Sequence, residues 1–191
     1  MNQNYTKAIK AIINFKKIFD KIDPKTPKKL VGDVGEFYAL KKLEKLGLEP
    51  EHKGGQGGYD IFLKKINKKI EVRTSLWKNE GVYPDKTIRF WGWRVENQNQ
   101  KRSEKFDYLV GVGLDDNFSK PKFYIFTYKE AFRVGDITIG RFKNIKKKIH
   151  LFETKVAYKK ALKSKPKLIS LFERKINMEQ SKFLNKWNKI K

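Results

Sequence analysis

The chain has 191 residues, 39% of them hydrophobic and 35% charged, with a formal net charge of +24 and no cysteine. That length carries one domain with a real core, and the missing cysteine excludes a disulfide framework and cysteine-held zinc. A charge this positive points to a polyanion such as DNA or RNA, although lysine-rich surfaces also occur in heat-adapted proteins. The excess of lysine over arginine suits diffuse phosphate attraction better than bidentate reading of bases. The two histidines, His52 and His150, lie too far apart in sequence to suggest a histidine metal cluster. No apolar run approaches the ~20 residues needed to cross a bilayer and the N-terminus lacks a signal pattern, so a cytoplasmic protein without a membrane partner is expected.

The first predicted element is a helix from Tyr5 to Ile22, with Ile9, Ile12, Ile13, Phe15 and Phe19 on its apolar side and Asp23-Pro24 as its stop. Thr26 as N-cap and Pro27 at the first position then open a second helix that runs to about Leu46, where Gly47 is placed to end it. On this helix Glu36 shares a face with Ala39, Leu40, Leu43 and Gly47, while Val34, Phe37 and Tyr38 imply packing on the other side. A carboxylate on an apolar stripe needs a charge partner, a hydrogen bond or a metal; a half-exposed glutamate favoured by the helix dipole is the plainer explanation.

The glycine-rich loop Gly54 to Gly58 comes next, and its spacing does not match a nucleotide-binding loop. A flexible loop beside a site is the better reading, with Gln56 as a candidate DNA contact. Two strands are predicted at Tyr59 to Leu63 and Lys69 to Ser75, joined by a turn around Asn67. Asp60 heads the first, although aspartate is a poor strand former; loop-end aspartates are common. In the second, alternation sends Lys69, Glu71, Arg73 and Ser75 one way and Ile70, Val72 and Thr74 the other. A solvated charged face is the usual meaning of such a pattern.

Ile88 to Val95 is predicted as an aromatic-rich strand. Its Phe90, Trp91 and Trp93, beside the candidate DNA contacts Arg89 and Arg94, suit a buried strand better than a base-stacking surface. Asn97 to Lys105 is a helix or a loop. Strands follow at Phe106 to Leu114 and Phe123 to Thr127, separated by a turn at Asp115-Asp116-Asn117, and then a short helix at Tyr128 to Phe132. Asn144 to Lys148 is expected to be basic and exposed, with helices at Phe152 to Ala161 and Lys167 to Ile190 broken at Pro166. This order predicts an α/β fold with helices flanking a central sheet.

A helix glutamate, an aspartate opening one strand, ten intervening residues and a Glu-x-basic pair on the next strand could converge on one point. Carboxylates meeting there would suit Mg²⁺, and a neighbouring cation would stabilise charge developing on a phosphate. The stretch from Val31 to Ser75 resembles the catalytic core of the PD-(D/E)xK nuclease superfamily, which includes type II restriction endonucleases, archaeal Holliday-junction resolvases and repair nucleases. The matching features are Gly35-Glu36 with Ala39, Leu43 and Gly47, then Gly58-Tyr59-Asp60-Ile61, then Ile70-Glu71-Val72-Arg73-Thr74-Ser75.

The resemblance implies a single nuclease domain over 1–191 with a restriction-endonuclease-like core at about 27–132. Its central mixed β-sheet, flanked by helices, would be extended by the strands Phe106 to Leu114 and Phe123 to Thr127, with helical additions at about 1–22 and 142–191. It implies Glu36, Asp60, Glu71 and Arg73 as the catalytic set. Asp60, Glu71 and Glu36 would bind Mg²⁺, for which Mn²⁺ can substitute, and DNA would be cut by a homodimer. The superfamily usually has lysine where this chain has Arg73. Arginine stays protonated and cannot act as a general base. Either Arg73 works electrostatically, or Lys69 fills in with Ser75 as a further auxiliary, or the site is impaired. The length of chain beyond the core favours a restriction-type enzyme. A structure-selective resolvase or repair nuclease and a silent nucleic-acid-binding module are the competing readings.

Overall fold

The computed structural model describes residues 3–21, 28–54, 58–77, 83–95, 106–133, 147–169 and 171–191, with backbone alone at 94–95, 132–133, 147–148 and 171–172. The features expected at Asp23-Pro24, Thr26-Pro27, Gln56, Asn97 to Lys105 and Asn144 to Lys146 lie outside the described residues.

Helices α1 (Gln3–Phe19) and α2 (Lys28–Lys45) pack on one another and on the sheet. The stripe expected on α2 is buried, with Ala39, Leu40 and Leu43 fully enclosed, and so is Val34 on the side expected to pack separately. Each of the larger of these side chains contributes about 1.5–3 kcal/mol by leaving water. Gly47 ends the segment in the left-handed region, at φ 68°.

The main sheet has five strands, β1 (Pro50–His52), β2 (Ile61–Leu63), β3 (Lys68–Leu76), β5 (Tyr108–Leu114) and β6 (Lys122–Thr127), in the order β1-β2-β3-β5-β6. The β3–β5 pair is parallel and the others are antiparallel, so the sheet is mixed, as expected. A tight 3-10 turn at Lys64–Ile66 and a left-handed Asn67 (φ 52°) join β2 to β3. The fold is therefore α/β, with a mixed central sheet and helices. No described helix is long and apolar enough to cross a membrane.

The two faces of the sheet are covered differently. Ile70, Val72, Val110, Val112 and Ile125 face α1 and α2 in one core. The opposite face is covered by more than helices, although the helical residues Ala131 and Ile176 join its core, which refines the simple picture of helices on both sides. A second sheet of β4 (Phe90–Val95) and β7 (Lys147–Phe152) lies there, with Trp91, Trp93, Ile149 and Leu151 against Leu109, Tyr124 and Phe126. The sequence W-G-W opposite G-V-G is the physical reason. A Cβ at Gly111 would stand 3.2 Å from the Trp93 ring and one at Gly113 2.6 Å from Trp91. The indole N–H groups donate to the β5 carbonyls of Val112 (3.3 Å) and Leu114 (3.0 Å). Phe90, Trp91 and Trp93 are thus core residues, as predicted.

A third core backs this second sheet with α4 (Lys155–Ser164), whose N-cap is Thr154. The C-terminal region is accordingly not the purely helical addition that was expected. Lys147–Phe152 is a strand, and the helix expected over Lys167 to Ile190 is limited to α5 (Leu171–Met178). After α5 the chain turns back onto β6: Ile125 N–H donates to Phe183 O (3.0 Å), Asn185 N–H donates to Phe123 O (2.8 Å), and Asn185 takes φ 55°. Those strand-edge bonds outcompete a continued helix. Before β7, α3 (Tyr128–Arg133) follows β6 directly, as expected.

Helix α5 also closes the outer edge of β7. Glu173 accepts His150 N–H (2.9 Å), Asn177 accepts Phe152 N–H (2.9 Å) and donates to His150 O (2.9 Å), and Gln180, just beyond the helix, donates to Phe152 O (2.8 Å). Side chains stand here where another strand would, which removes an exposed edge.

Candidate functional site

The β2–β3 ladder stops at Asp60, and this explains why an aspartate stands there. Asp60 N–H donates to Ile70 O (3.0 Å), the last backbone bond of that pairing. The next donor along β3, Val72 N–H, is taken at 2.7 Å by Asp60 Oδ2. The carboxylate substitutes for a carbonyl that β2 no longer supplies. Beyond this point β3 keeps its pairing with β5, and Glu71 and Arg73 project beside Leu109 and Gly111, their register partners. The strand that carries the Glu-x-basic pair thus loses its β2 neighbour where that pair begins.

Helix α2 is held tightly over this place. A Cβ at Gly35 would fall 1.9 Å from Thr74 Oγ1 and 2.7 Å from its Cγ2, so only glycine lets the helix backbone come this close to β3. The next residue, Glu36, reaches the end of β1, where its Oε2 meets His52 Nε2 at 2.7 Å. Phe37 packs edge-on against the His52 ring. His52 is the register partner of Ile61, the residue after Asp60, and Lys53 N–H donates to Asp60 O at 2.7 Å. This backbone bond ties the corner of β1 to Asp60.

The electrostatics follow from these positions. Asp60 is 9% exposed, and burial pushes its carboxyl above the ordinary value against the pull of Val72 N–H, Arg73 and His52. Burial also raises Glu36; the His52 hydrogen bond lowers it, and the charges of Asp60 and Asp33 raise it further. Glu71 is 8% exposed and forms an ion pair with the Arg73 guanidinium. Asp60 is the shared member: its charge acts on Glu36, and those of His52 and Arg73 act on it, Arg73 being paired to Glu71.

The expected quartet of Glu36, Asp60, Glu71 and Arg73 is thus linked through Asp60, and His52 joins it. Sequence reasoning passed over His52 because it asked whether the two histidines could pair with each other. The signal that would have found it is local: a histidine just before the glycine loop that leads to Asp60.

The auxiliary candidates fare differently. Lys69 places its ammonium over the Tyr59 ring, 5.5 Å from the centroid. Ser75 is committed to packing, donating to Leu76 O (2.9 Å) and accepting Gly92 N–H (3.2 Å), so it fastens β4 to the main sheet. Arg89 is exposed and stacks on Trp77 at 4.7 Å. The Arg94 side chain and Gln56 lie outside what is described.

Among the described residues, no group of three or more histidine, aspartate or glutamate side chains forms a ready metal cage. The donor chemistry still fits Mg²⁺. Its carboxylate oxygens are hard ligands, and Mg²⁺ is usually held by one or two carboxylates, waters and substrate phosphates rather than by an all-protein cage. Buried carboxylates pushed upward by desolvation are also groups that a cation would relieve.

No protein-family model matches this chain, and comparison with curated proteins finds no significant match.

Proposed function

We propose that this protein is a metal-dependent DNA endonuclease with a restriction-endonuclease-like core. The observation that carries the reading is the position of Asp60, buried at the end of the β2–β3 ladder and bonded to Val72 N–H, on the strand that carries the Glu71–Arg73 pair, with its charge acting on Glu36. Asp60 and Glu71 would hold Mg²⁺ or Mn²⁺, with Glu36 as the third oxygen donor. When bound, the ion would supply Lewis acidity for phosphodiester hydrolysis by water. Arg73, whose side chain is 41% exposed, would supply positive charge to the phosphoryl oxygens. Arg73, now paired with Glu71, would be free to face the substrate if that carboxylate held a cation instead. The net charge of +24 draws in the DNA backbone. A restriction-type enzyme acting as a homodimer across a twofold axis is the favoured form, and a junction resolvase or repair nuclease is its rival.

The test is incubation with plasmid, linear duplex and a four-way junction, each with Mg²⁺, Mn²⁺ or EDTA. Cutting that needs the metal and stops in EDTA is expected. Undiminished cutting in EDTA sinks the proposal, and preference for the junction selects the resolvase form. The ion pair between Arg73 and Glu71 favours a second reading, a silent DNA-binding module whose metal place is already neutralised. A wild type inert under every condition alongside an Arg73→Lys variant that cuts selects that reading.

A further inference from the structure

His52 has no part in the quartet read from the sequence, yet it makes the 2.7 Å bond that anchors Glu36. Its place is well defined. The β1–β2 register sets it opposite Ile61, Phe37 packs against its ring, and Lys53 N–H fixes the adjoining backbone to Asp60 O. Glu36 needs such an anchor, because it is carried on a different element from Asp60 and the two like charges repel. With Glu36 ionised, the imidazole must be the donor. We propose that His52 is a positioning residue of the candidate metal site, its Nε2–H holding the Glu36 carboxylate beside Asp60 so that both can serve one cation. This rests on the metal-dependent reading above. It gives the site a partner of the kind that orients metal-binding carboxylates elsewhere, whose loss typically costs about 10–100-fold in metal affinity.

The test uses the whole protein without DNA, with Mn²⁺ as the probe and its free concentration followed by electron paramagnetic resonance. His52→Phe keeps a ring against Phe37 and removes the donor. It is expected to weaken Mn²⁺ binding about 10–100-fold. His52→Gln restores an N–H at the same reach and is expected to bind within about threefold of wild type, a rescue that a purely structural role would not give. If His52→Phe fails to fold, His52→Leu takes its place. In a chain already carrying Glu36→Gln, losing the His52 donor is expected to have little further effect, because the two act as a unit. Wild-type affinity in the Phe or Leu variant, or a Gln variant as weak as they are, overturns the inference while leaving the site itself standing if Asp60→Asn still abolishes Mn²⁺ binding. A wild type that binds no Mn²⁺, or an Asp60→Asn chain that binds it unchanged, overturns the metal reading and this inference with it.

Discussion

Glu173 and Glu36 each meet a histidine ring nitrogen at 2.7 Å, and each does so from a helix packed against a strand. Their surroundings part them. Glu173 Oε1 takes both the ring Nδ1 and the backbone N–H of His150, while Asn177 and Gln180 meet the neighbouring groups of β7. Donors and acceptors are matched there, and the network closes a sheet edge. Glu36 has one ring donor, with the carboxylates of Asp60 and Asp33 in its field. Negative charge accumulates under partial burial, and no backbone edge gains from it. A buried carboxylate with matched donors is scaffolding; carboxylates gathered faster than donors make a place for a cation.

The sharpest way to break this comparison is at Asp60, which belongs to both categories. Its Oδ2 has a scaffolding bond to Val72 N–H, and its charge belongs to the site. Asp60→Asn keeps an acceptor for Val72 and removes the charge. Cleavage is expected to fall at least ~10²-fold with the melting temperature preserved. Asp60→Ala is expected to lose activity equally and also about 1–3 kcal/mol of stability, from the orphaned Val72 N–H. A nuclease assay with thermal melts checks both. Wild-type cutting by the Asn variant removes Asp60 from the chemistry, and equal destabilisation by both variants removes the Val72 bond as the reason for an aspartate here.

On the scaffolding side, Asn177→Ala strips the acceptor from Phe152 N–H and the donor from His150 O. A loss of about 2–3 kcal/mol in denaturant unfolding is expected, with metal and DNA affinity of the folded protein unchanged. A matching loss of Mn²⁺ affinity would mean that the two regions are coupled and the distinction false.

Both regions contain signals the sequence carries unevenly. Asp60 was legible because an aspartate heading Ile61-Phe62-Leu63 contradicts strand propensity, and contradictions of that kind mark constrained places. The alternation in β3 was legible because one face is polar. The strand β7 was not, since its lysines suggest an exposed run and Phe152 then reads as the start of a helix; its apolar residues Ile149 and Leu151 make sense only once β4 lies beside them. The extent of α5 was overestimated because the pull of β6 on Phe183 and Asn185 is long-range and invisible to local pattern. β1 is three residues long and includes a proline, too short for any periodicity, so His52 was lost with it.

Gly35 links the two kinds of constraint through packing. Gly35→Ala would drive a Cβ into Thr74 Oγ1 and Cγ2, at 1.9 and 2.7 Å, and the expected cost is about 1–3 kcal/mol. Lifting α2 also moves Glu36, so Mn²⁺ affinity should fall with it. Adding Thr74→Ala removes two of the three closest atoms and should recover part of both losses, leaving the Thr74 Cβ contact at 2.8 Å. Recovery of stability without recovery of metal affinity would show that helix position is not what places Glu36.

The smallest effect expected is on stability against pH, and its sign separates two glutamates. Burial, with the charges of Asp60 and Asp33, raises Glu36 above its ordinary value despite the His52 bond, so the folded chain holds that proton more tightly than the unfolded one. Stability therefore declines as pH rises from the ordinary carboxylate value through the raised one, and the penalty persists at neutral pH. Glu130 has the opposite balance. Burial would raise it, but Thr127 N–H and Lys189 outweigh burial and hold it below its ordinary value. Its contribution is present at neutral pH and is lost as pH falls through the lowered value. Glu36→Gln is therefore expected to melt slightly higher than wild type at neutral pH without metal, and Glu130→Gln lower. Both differences should shrink in acid, once the glutamates are protonated in folded and unfolded chains alike. Thermal melts of the three proteins between neutral pH and about pH 3 cover the window on both sides of the ordinary value of ~4.3. A Glu36→Gln variant that melts lower than wild type at neutral pH, as Glu130→Gln should, would place Glu36 with Glu173 and Glu130 among the scaffolding carboxylates, and the case for a cation at this corner would then rest on Asp60 and Glu71 alone.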